Sequence, residues 1–515
     1  MPPKNDIEVQ NSERCTETSS VLSQEGFEYV KLTSKNRCFA FMDAINAKLG
    51  TETKGIEPTT EDERNDASLL NAASMWFSAN MVIAAFSVGV LGPIVFGLNF
   101  WGCVIAVVVF AFLGVLPVAF YSIFGAELGL RQMILSRYLL GNFTARIFAM
   151  INIIACIGWG AVNTIASAQL LHMINPSGVR CPPWAGCLII VLSTISVSFF
   201  GYRVIHIYEK WAWVPNFVVF LIVIARVHVS GTFSIGQWEE GANTAAGVLS
   251  LGSIVFGFAT GWTTYASDYT VYMPSTINKY KVFFAVMAGL MLPLCFTILL
   301  GAAAGRAAMN SELYMYYYDK ESTGGLLYAI LVPKSLGGFG QFCCVVLAMS
   351  TVANCIPNMY SIALGTQSLW QPLAKVPRVF WTVTGNFVTL AIAIPAYYKF
   401  SSFMTTFMDA IGYYLSIYIG ISMSEHFVFR RGMFQNYTVA DWNSWERLPV
   451  GFSGSAALFV GAVGVAIGMS QTYWSGEIGR LIGDHGGDIG FELGLGFSVL
   501  TYNLLRPFEL KFLGR

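Results

Sequence analysis

The chain has 515 residues, of which 55% are hydrophobic, 15% aromatic and only 12% charged, with a formal net charge of zero. Soluble domains carry about 25% charged residues; here 21 of the 60 charges fall in residues 1–70, so the other 445 residues have too few to cover a water-facing surface. A soluble enzyme, a disulfide-rich secreted domain and a disordered scaffold are excluded, the neutral balance offers nucleic acid no footprint, and an integral membrane protein remains.

Residues 1–70 hold no apolar signal-peptide core and are expected to stay in the cytoplasm as a polar, largely disordered tail. Crossing a bilayer as a helix takes about 20 mostly apolar residues. Twelve such runs follow, near 73–98, 101–123, 145–174, 183–202, 211–229, 245–267, 282–305, 340–369, 378–397, 403–428, 449–470 and 487–505. A transmembrane domain over 71–506 and a short cytoplasmic tail at 507–515 are therefore expected. The connections leave no room for a soluble catalytic domain.

Lys and Arg in short loops set the orientation. With the amino terminus inside, Arg131, Arg137, Arg146, Arg203, Lys210, Lys279, Lys281, Lys375, Arg378, Arg430, Arg431 and Arg447 are cytoplasmic. Only Arg180, Arg306, Lys320, Lys334, Lys399 and Arg480 lie outside, so both termini are read as cytoplasmic. Cys181 and Cys187 could pair there, but free thiols behaving as small hydrophobes are the simpler expectation.

Glycine and proline interrupt the first run at Gly89 and Gly92-Pro93, and glycine interrupts the sixth at Gly257 and Gly261. Breaks at corresponding places in two halves point to a transporter site, because unwound backbone at membrane depth must line a cavity. Close helix packing is the competing reason for such glycines. The sixth run is five after the first, the spacing that a five-plus-five repeat demands.

Polar side chains in the apolar runs are the second signal. Trp159 and Asn163 are four apart and share one helix face. The eighth run carries Ser350, Thr351, Asn354, a break at Pro357 and Asn358. A tryptophan face with an amide suits a flat heteroaromatic ligand, the ring stacking while the amide donates and accepts in the ring plane. Interfacial anchoring and interhelical bonding are the alternatives for each residue singly.

In order and spacing these residues resemble the purine–cytosine permease family, the nucleobase branch of the nucleobase–cation symporters, and its fungal cytosine/purine carriers above all. The likeness runs from about residue 50 to the carboxyl terminus. It rests on Gly55-Ile56-Glu57-Pro58, Phe86-Ser87-Val88-Gly89 with Leu91-Gly92-Pro93, and Gly129-Leu130-Arg131-Gln132 with Ser136-Arg137-Tyr138. Gly158-Trp159 with Asn163, Ser267-Asp268-Tyr269 with Tyr272-Met273-Pro274, and Asn354 with Ile356-Pro357-Asn358 complete it.

The resemblance implies an all-α, LeuT-like fold of two inverted five-helix repeats followed by two peripheral helices. It implies a plasma-membrane secondary transporter, not an enzyme, that imports cytosine and purines (adenine, guanine, hypoxanthine) by alternating access. Trp159 and Trp262 would sandwich the base, Asn163 and Asn354 would bind its edge, and Ser87 would complete the site. No metal, no cofactor and no obligate protein partner is implied beyond the nucleobase and the lipid bilayer. Sodium-coupled relatives carry helix-eight hydroxyls about where Ala348 and Met349 stand here, which favours proton over sodium coupling. Asp268 and Glu209 are candidate proton carriers, with a structural pair or cap as the competing role. A carrier of another heterocycle (uracil, allantoin or a vitamin-B6 form) is the nearest alternative. A channel is a more distant one, disfavoured because central tryptophans would plug a pore and no filter motif repeats.

Overall fold

The computed structural model describes residues 55–175, 181–199, 208 and 210–515. A helix stands at each of the twelve predicted positions. The first span is split into α1 (Leu69–Asn80) and α2 (Ile83–Ile94). The second is α3 (Phe100–Leu128), followed by a short helix α4 (Gln132–Leu140). Spans three to five are α5 (Asn142–Met173), α6 (Pro183–Phe199) and α7 (Trp213–Ser230). The sixth is α8 (Ala242–Thr260), continued by a 3-10 helix over Thr263–Tyr269. Then come α9 (Lys279–Met309), a further helix α10 (Glu312–Leu331) and α11 (Gly338–Leu369). The chain ends with α12 (Arg378–Ala396), α13 (Phe400–Ser424), α14 (Phe452–Gly468) and α15 (Gly490–Leu513).

By length and apolarity alone, seven of the described helical runs can cross a membrane, and the bent pair α1–α2 makes an eighth. One of the seven is residues 378–429, which contains both α12 and α13 around a 3-10 turn at Tyr397–Lys399. α6 and α14 are shorter apolar helices, and α15 carries Glu492, Arg506, Glu509 and Lys511.

The packing repeats itself. α1 and α2 lie on α9, as α8 and its 3-10 extension lie on α3. α5 packs on α6, α12 and α13, and α11 makes the matching contacts with α12, α6 and α7. α5 with α11, α3 with α9, and α6 with α12 are their own counterparts. Exchanging each span with the one five positions away thus turns these contacts into one another. Five is odd, so the second copy begins on the opposite side of the membrane and the repeat is inverted. α14 and α15 pack mainly on each other and on α13, at the periphery.

Several expectations need correction. The polar tail does not extend to residue 70 without structure. α3 ends on Gly129 in the left-handed region (φ 62°), and the segment before α1 covers that end. Arg64 Nη1 donates to the Ala126 carbonyl at 3.2 Å, and the Thr59 N–H donates to the Gly129 carbonyl at 2.9 Å. At the other terminus α15 continues to Leu513, through most of the expected 507–515 tail. The eighth span runs unbroken through Pro357, which only withholds an N–H from the carbonyl four residues earlier. Cys181 and Cys187 are free thiols.

The glycines read as break points in the first span are packing glycines inside α2. A β-carbon on Gly89 would lie 1.8 Å from the Ile298 carbonyl oxygen and 2.7 Å from the Ala302 nitrogen. On the facing helix, one on Gly301 would lie 2.0 Å from the Phe86 carbonyl oxygen. At Gly92 it would strike Cys103 Sγ at 2.6 Å. Because the Gly89 contact is backbone on backbone, no rotamer relieves it, and overpacking costs about 1–3 kcal/mol or more. Gly89→Val is expected to leave well under half the wild-type amount of tagged carrier at the cell surface. Wild-type abundance would show that α2 and α9 can part without penalty.

Candidate functional site

The break in the first span lies at Met81-Val82, about two turns before Gly89 and about three before Pro93, and bends α1 from α2 by 53°. Met81 (φ −85°, ψ 60°) and Val82 (φ −134°, ψ 158°) leave the helical region although neither is Gly or Pro. The freed backbone groups are met from α11. Ser350 Oγ accepts the Ile83 N–H at 3.2 Å, and Asn354 Nδ2 donates to the Ala79 carbonyl at 2.7 Å. Ser350 and Asn354 are four apart, hence on one face of α11. Two side chains of a distant span therefore hold the unwound turn open.

From there an amide chain crosses the core. Asn163 Nδ2 donates to Asn354 Oδ1 at 2.9 Å and to the Trp159 carbonyl at 2.8 Å. Asn358 Nδ2 bonds the Asn354 carbonyl at 2.9 Å and Asn354 Oδ1 at 3.2 Å, while the Tyr265 hydroxyl donates to Asn358 Oδ1 at 2.8 Å. Carbonyls can only accept, so Ala79 and Trp159 fix which end of each amide is the donor. That leaves Asn163 Oδ1 as the atom of the chain with no partner, on a fully buried side chain.

The aromatic walls adjoin this chain. Trp159 and Trp262 are both buried and nearly parallel, with centroids 6.1 Å apart at 22°. A ring inserted between them needs two contact distances of about 3.5 Å, so the pair must spread by about 1 Å to take one. Phe258 (4.9 Å, 80°) and Phe407 (6.1 Å, 86°) stand edge-on to Trp159. Gly261, at the end of α8, makes room for Trp159, since a β-carbon there would lie 2.6 Å from its Cζ2 and 3.0 Å from its Nε1. The sixth span does change character at Gly261, but Gly257 lies inside α8, where a β-carbon would meet the Met408 carbonyl oxygen at 1.9 Å. Gly257, like Gly89 and Gly92, serves packing instead of unwinding.

Two residues absent from the sequence-based set belong to the site. Asn80 Oδ1 accepts the Trp262 indole N–H at 3.1 Å, and Trp76 meets the Trp262 ring edge-on at 5.3 Å. Asn80 Nδ2 donates to the Trp76 carbonyl at 2.8 Å, as Asn163 does to that of Trp159. The pattern Trp-x-x-x-Asn thus occurs twice, in α1 and α5, and was legible as a repeat of spacing. The indole Nε1 atoms of Trp76 and Trp159 are buried and unpartnered. The core offers two free donors and one free acceptor among aromatic faces.

Ser87 is placed less centrally. It is buried one turn into α2, where its hydroxyl donates to the Ile83 carbonyl at 2.9 Å. Asp268 lies in the 3-10 extension, and its Oδ1 accepts the Gln132 N–H at the start of α4 at 2.7 Å, while Arg131 Nη1 donates to its carbonyl at 3.0 Å. Those partners make it a cap for α4. Glu209 lies outside the described residues.

Fold and core together define a membrane carrier of the inverted-repeat class, with a neutral, aromatic-walled site at two broken helices. The family model described as a permease for cytosine/purines, uracil, thiamine and allantoin matches residues 58–476, and the chain belongs to that family. It is 60% identical to the purine-cytosine permease FCY2 of Saccharomyces cerevisiae, over 99% of this chain and 96% of that one. To FCY21 of the same yeast, also a purine-cytosine permease, it is 63% identical over 92% and 90%. Among solved structures it is similar to Mhp1, a nucleobase-cation-symport-1 family transporter in a closed conformation with bromovinylhydantoin bound. The TM-score is 0.68 at 16% identity, covering 89% of this chain and 96% of that one, a likeness of fold. The chain is a permease and not an enzyme, with the LeuT-like architecture expected.

Proposed function

We propose that this chain imports cytosine and the purines adenine, guanine and hypoxanthine across the plasma membrane by proton symport. The observation that carries the reading is the set of unpartnered buried atoms: Asn163 Oδ1 as acceptor, Trp159 Nε1 and Trp76 Nε1 as donors. Buried polar groups are rarely left unpaired, and three of them converging among aromatic rings are what a flat polar ligand would satisfy. A nucleobase edge carries donors and acceptors in one plane, and its faces suit the Trp159 and Trp262 rings. The names of the yeast relatives support the same substrate class. The Lys and Arg bias supports cytoplasmic termini.

Proton coupling is supported by what the eighth span has already committed. Ser350 Oγ caps Ile83 and donates to the Leu347 carbonyl at 2.6 Å, and Thr351 Oγ1 is bonded to Ser167 Oγ at 2.6 Å. The Met349 carbonyl accepts from the Tyr208 hydroxyl at 3.2 Å. Few hard oxygens on this stretch remain for sodium. Uptake of radiolabelled cytosine by cells lacking their own carriers is expected to rise as external pH falls. It should collapse with a protonophore, stay unchanged when choline replaces sodium, and be competed by unlabelled adenine and hypoxanthine. Loss of uptake in choline at constant pH would demand a sodium site, and no competition by either purine would overturn the substrate class.

A further inference from the structure

A second buried polar cluster lies where α8 and α13 meet the segment joining α14 to α15. Gln471 Nε2 donates to Asp409 Oδ2 at 2.7 Å and to Asp488 Oδ2 at 3.0 Å, tying two buried carboxylates together. Asp488 is well supplied with donors. It accepts from the Ser470 N–H (2.9 Å), the Gly490 N–H (3.0 Å) and the Tyr413 hydroxyl as well as from Gln471. Asp409 is not. Its Oδ1 makes no well-formed hydrogen bond, and the donor beside Asp409 on α8 is the fully buried Ser253 hydroxyl, which has no other partner. Glu492 Oε2, on α15, is likewise unpartnered.

The titratable groups about Asp409 are Tyr413 on its own helix, Asp488 and Tyr473 from the α14–α15 segment, and Glu492 on α15. α8 and α14 contain no titratable side chain. Among the described residues no basic side chain pairs with Asp409, Asp488 or Glu492, and no group of three His, Cys, Asp or Glu converges to hold a metal ion. Buried carboxylates without a basic partner cannot all stay ionised; a proton is the smallest charge that neutralises one. Asp488, with its four donors, is the one built to keep its charge. Asp409, with a free oxygen aimed at a hydroxyl, is the one built to take the proton.

The position ties this carboxyl to the substrate site. Phe407 touches the Trp159 ring, and the Met408 carbonyl fills the hollow at Gly257. Asp409 follows directly, so three consecutive residues of α13 carry the aromatic contact, the backbone crossing with α8 and the carboxyl. Any tilt of α13 that uncovers Trp159 also separates Asp409 from Ser253.

We infer that Asp409 carries the coupled proton of the transport cycle, taking it up at Oδ1 when α13 closes against α8 over the substrate and releasing it when they separate. The proton arrives from water beside Gln471, whose side chain is partly exposed, forming the O–H bond. It leaves to water admitted through the opened substrate site, restoring the carboxylate. The inference rests on the proton-symport reading above.

The test uses purified full-length carrier in proteoliposomes loaded with a pH-sensitive dye, with cytosine counterflow measured in parallel. Asp409→Asn is expected to keep counterflow within about threefold of wild type and to lose cytosine-driven proton influx by about a hundredfold. Asp409→Glu, which keeps a carboxyl, should keep proton influx. Wild-type proton influx in Asp409→Asn overturns the assignment. Should that variant fail counterflow through misassembly, Ser253→Ala decides. It is expected to move the external pH of half-maximal uptake by about half a unit or more, and a superimposable profile overturns the assignment. Wild-type carrier that moves cytosine without protons would instead defeat the symport reading itself, before any variant is compared.

Discussion

Asn354→Ala is expected to abolish cytosine uptake while the carrier still reaches the cell surface. Asn354 is the junction of three spans: it donates to the Ala79 carbonyl on α1, accepts from Asn163 on α5 and from Asn358 on its own helix. Alanine leaves the Ala79 carbonyl and Asn163 Nδ2 short of partners, at about 1–3 kcal/mol each. A combined loss of about 3 kcal/mol is about a hundredfold in affinity, enough to remove uptake at micromolar substrate. Asn163→Ala should be gentler on the scaffold, because Asn354 Oδ1 keeps Asn358 Nδ2 at 3.2 Å. It deletes the unpartnered acceptor, so it too should abolish uptake. Initial rates with surface biotinylation measure both, and normal kinetics in either variant would remove that residue from the site.

The second large effect concerns the aromatic walls. Stacking a base on an aromatic side chain is worth about 1–3 kcal/mol by alanine substitution. Trp159→Ala and Trp262→Ala should therefore weaken cytosine and adenine alike, since every base has a π face. The phenylalanine variants should separate the two positions. Trp159→Phe keeps a ring and loses only an indole N–H that is unpartnered. Trp262→Phe also forfeits the 3.1 Å bond to Asn80 and should retain less affinity. Asn163→Ser and Asn163→Gln, which keep a polar oxygen where alanine keeps none, should instead reorder cytosine, adenine and hypoxanthine, because that side chain meets the polar edge. Inhibition constants together with surface abundance decide the matter. Unchanged affinity with reduced abundance would mean that these tryptophans hold helices and not the base.

Hydrophobic runs made the spans legible, because apolar length is a local property of the chain. So was the Trp159–Asn163 face, since four-residue spacing alone sets it. The break at Met81-Val82 was not. Asn80-Met81-Val82 contains no local breaker, and the groups that stabilise it, Ser350 and Asn354, lie more than 260 positions away. Glycine misled for the same reason: at Gly89, Gly92 and Gly257 it answers a neighbouring backbone or side chain, which sequence cannot display. α4 escaped notice because nine residues are too few to span and its polar face, Gln132 and Ser136, is met by the Tyr418 hydroxyl at 2.9 and 2.7 Å. Asp409 was not among the residues the sequence singled out, because a lone acid in an apolar run shows nothing of its neighbours, and only folding sets it beside Asp488 and Gln471.

The bend between α1 and α2 is held by side chains of α11, not by its own residues, and this constrains how the carrier can change its diet. Asn354 both braces that bend and sits in the amide chain proposed to read the ligand. A substitution there that favours a new heterocycle also alters how readily the first span straightens, and so the balance between inward- and outward-open forms. Selectivity and turnover are therefore yoked at this position. On the proposed site, independent adjustment of preference is open at residues that would meet the ligand without bonding the bend, with Asn163 and Trp159 the foremost of them, and laboratory selection for altered substrates should enrich changes around those two before it touches Asn354.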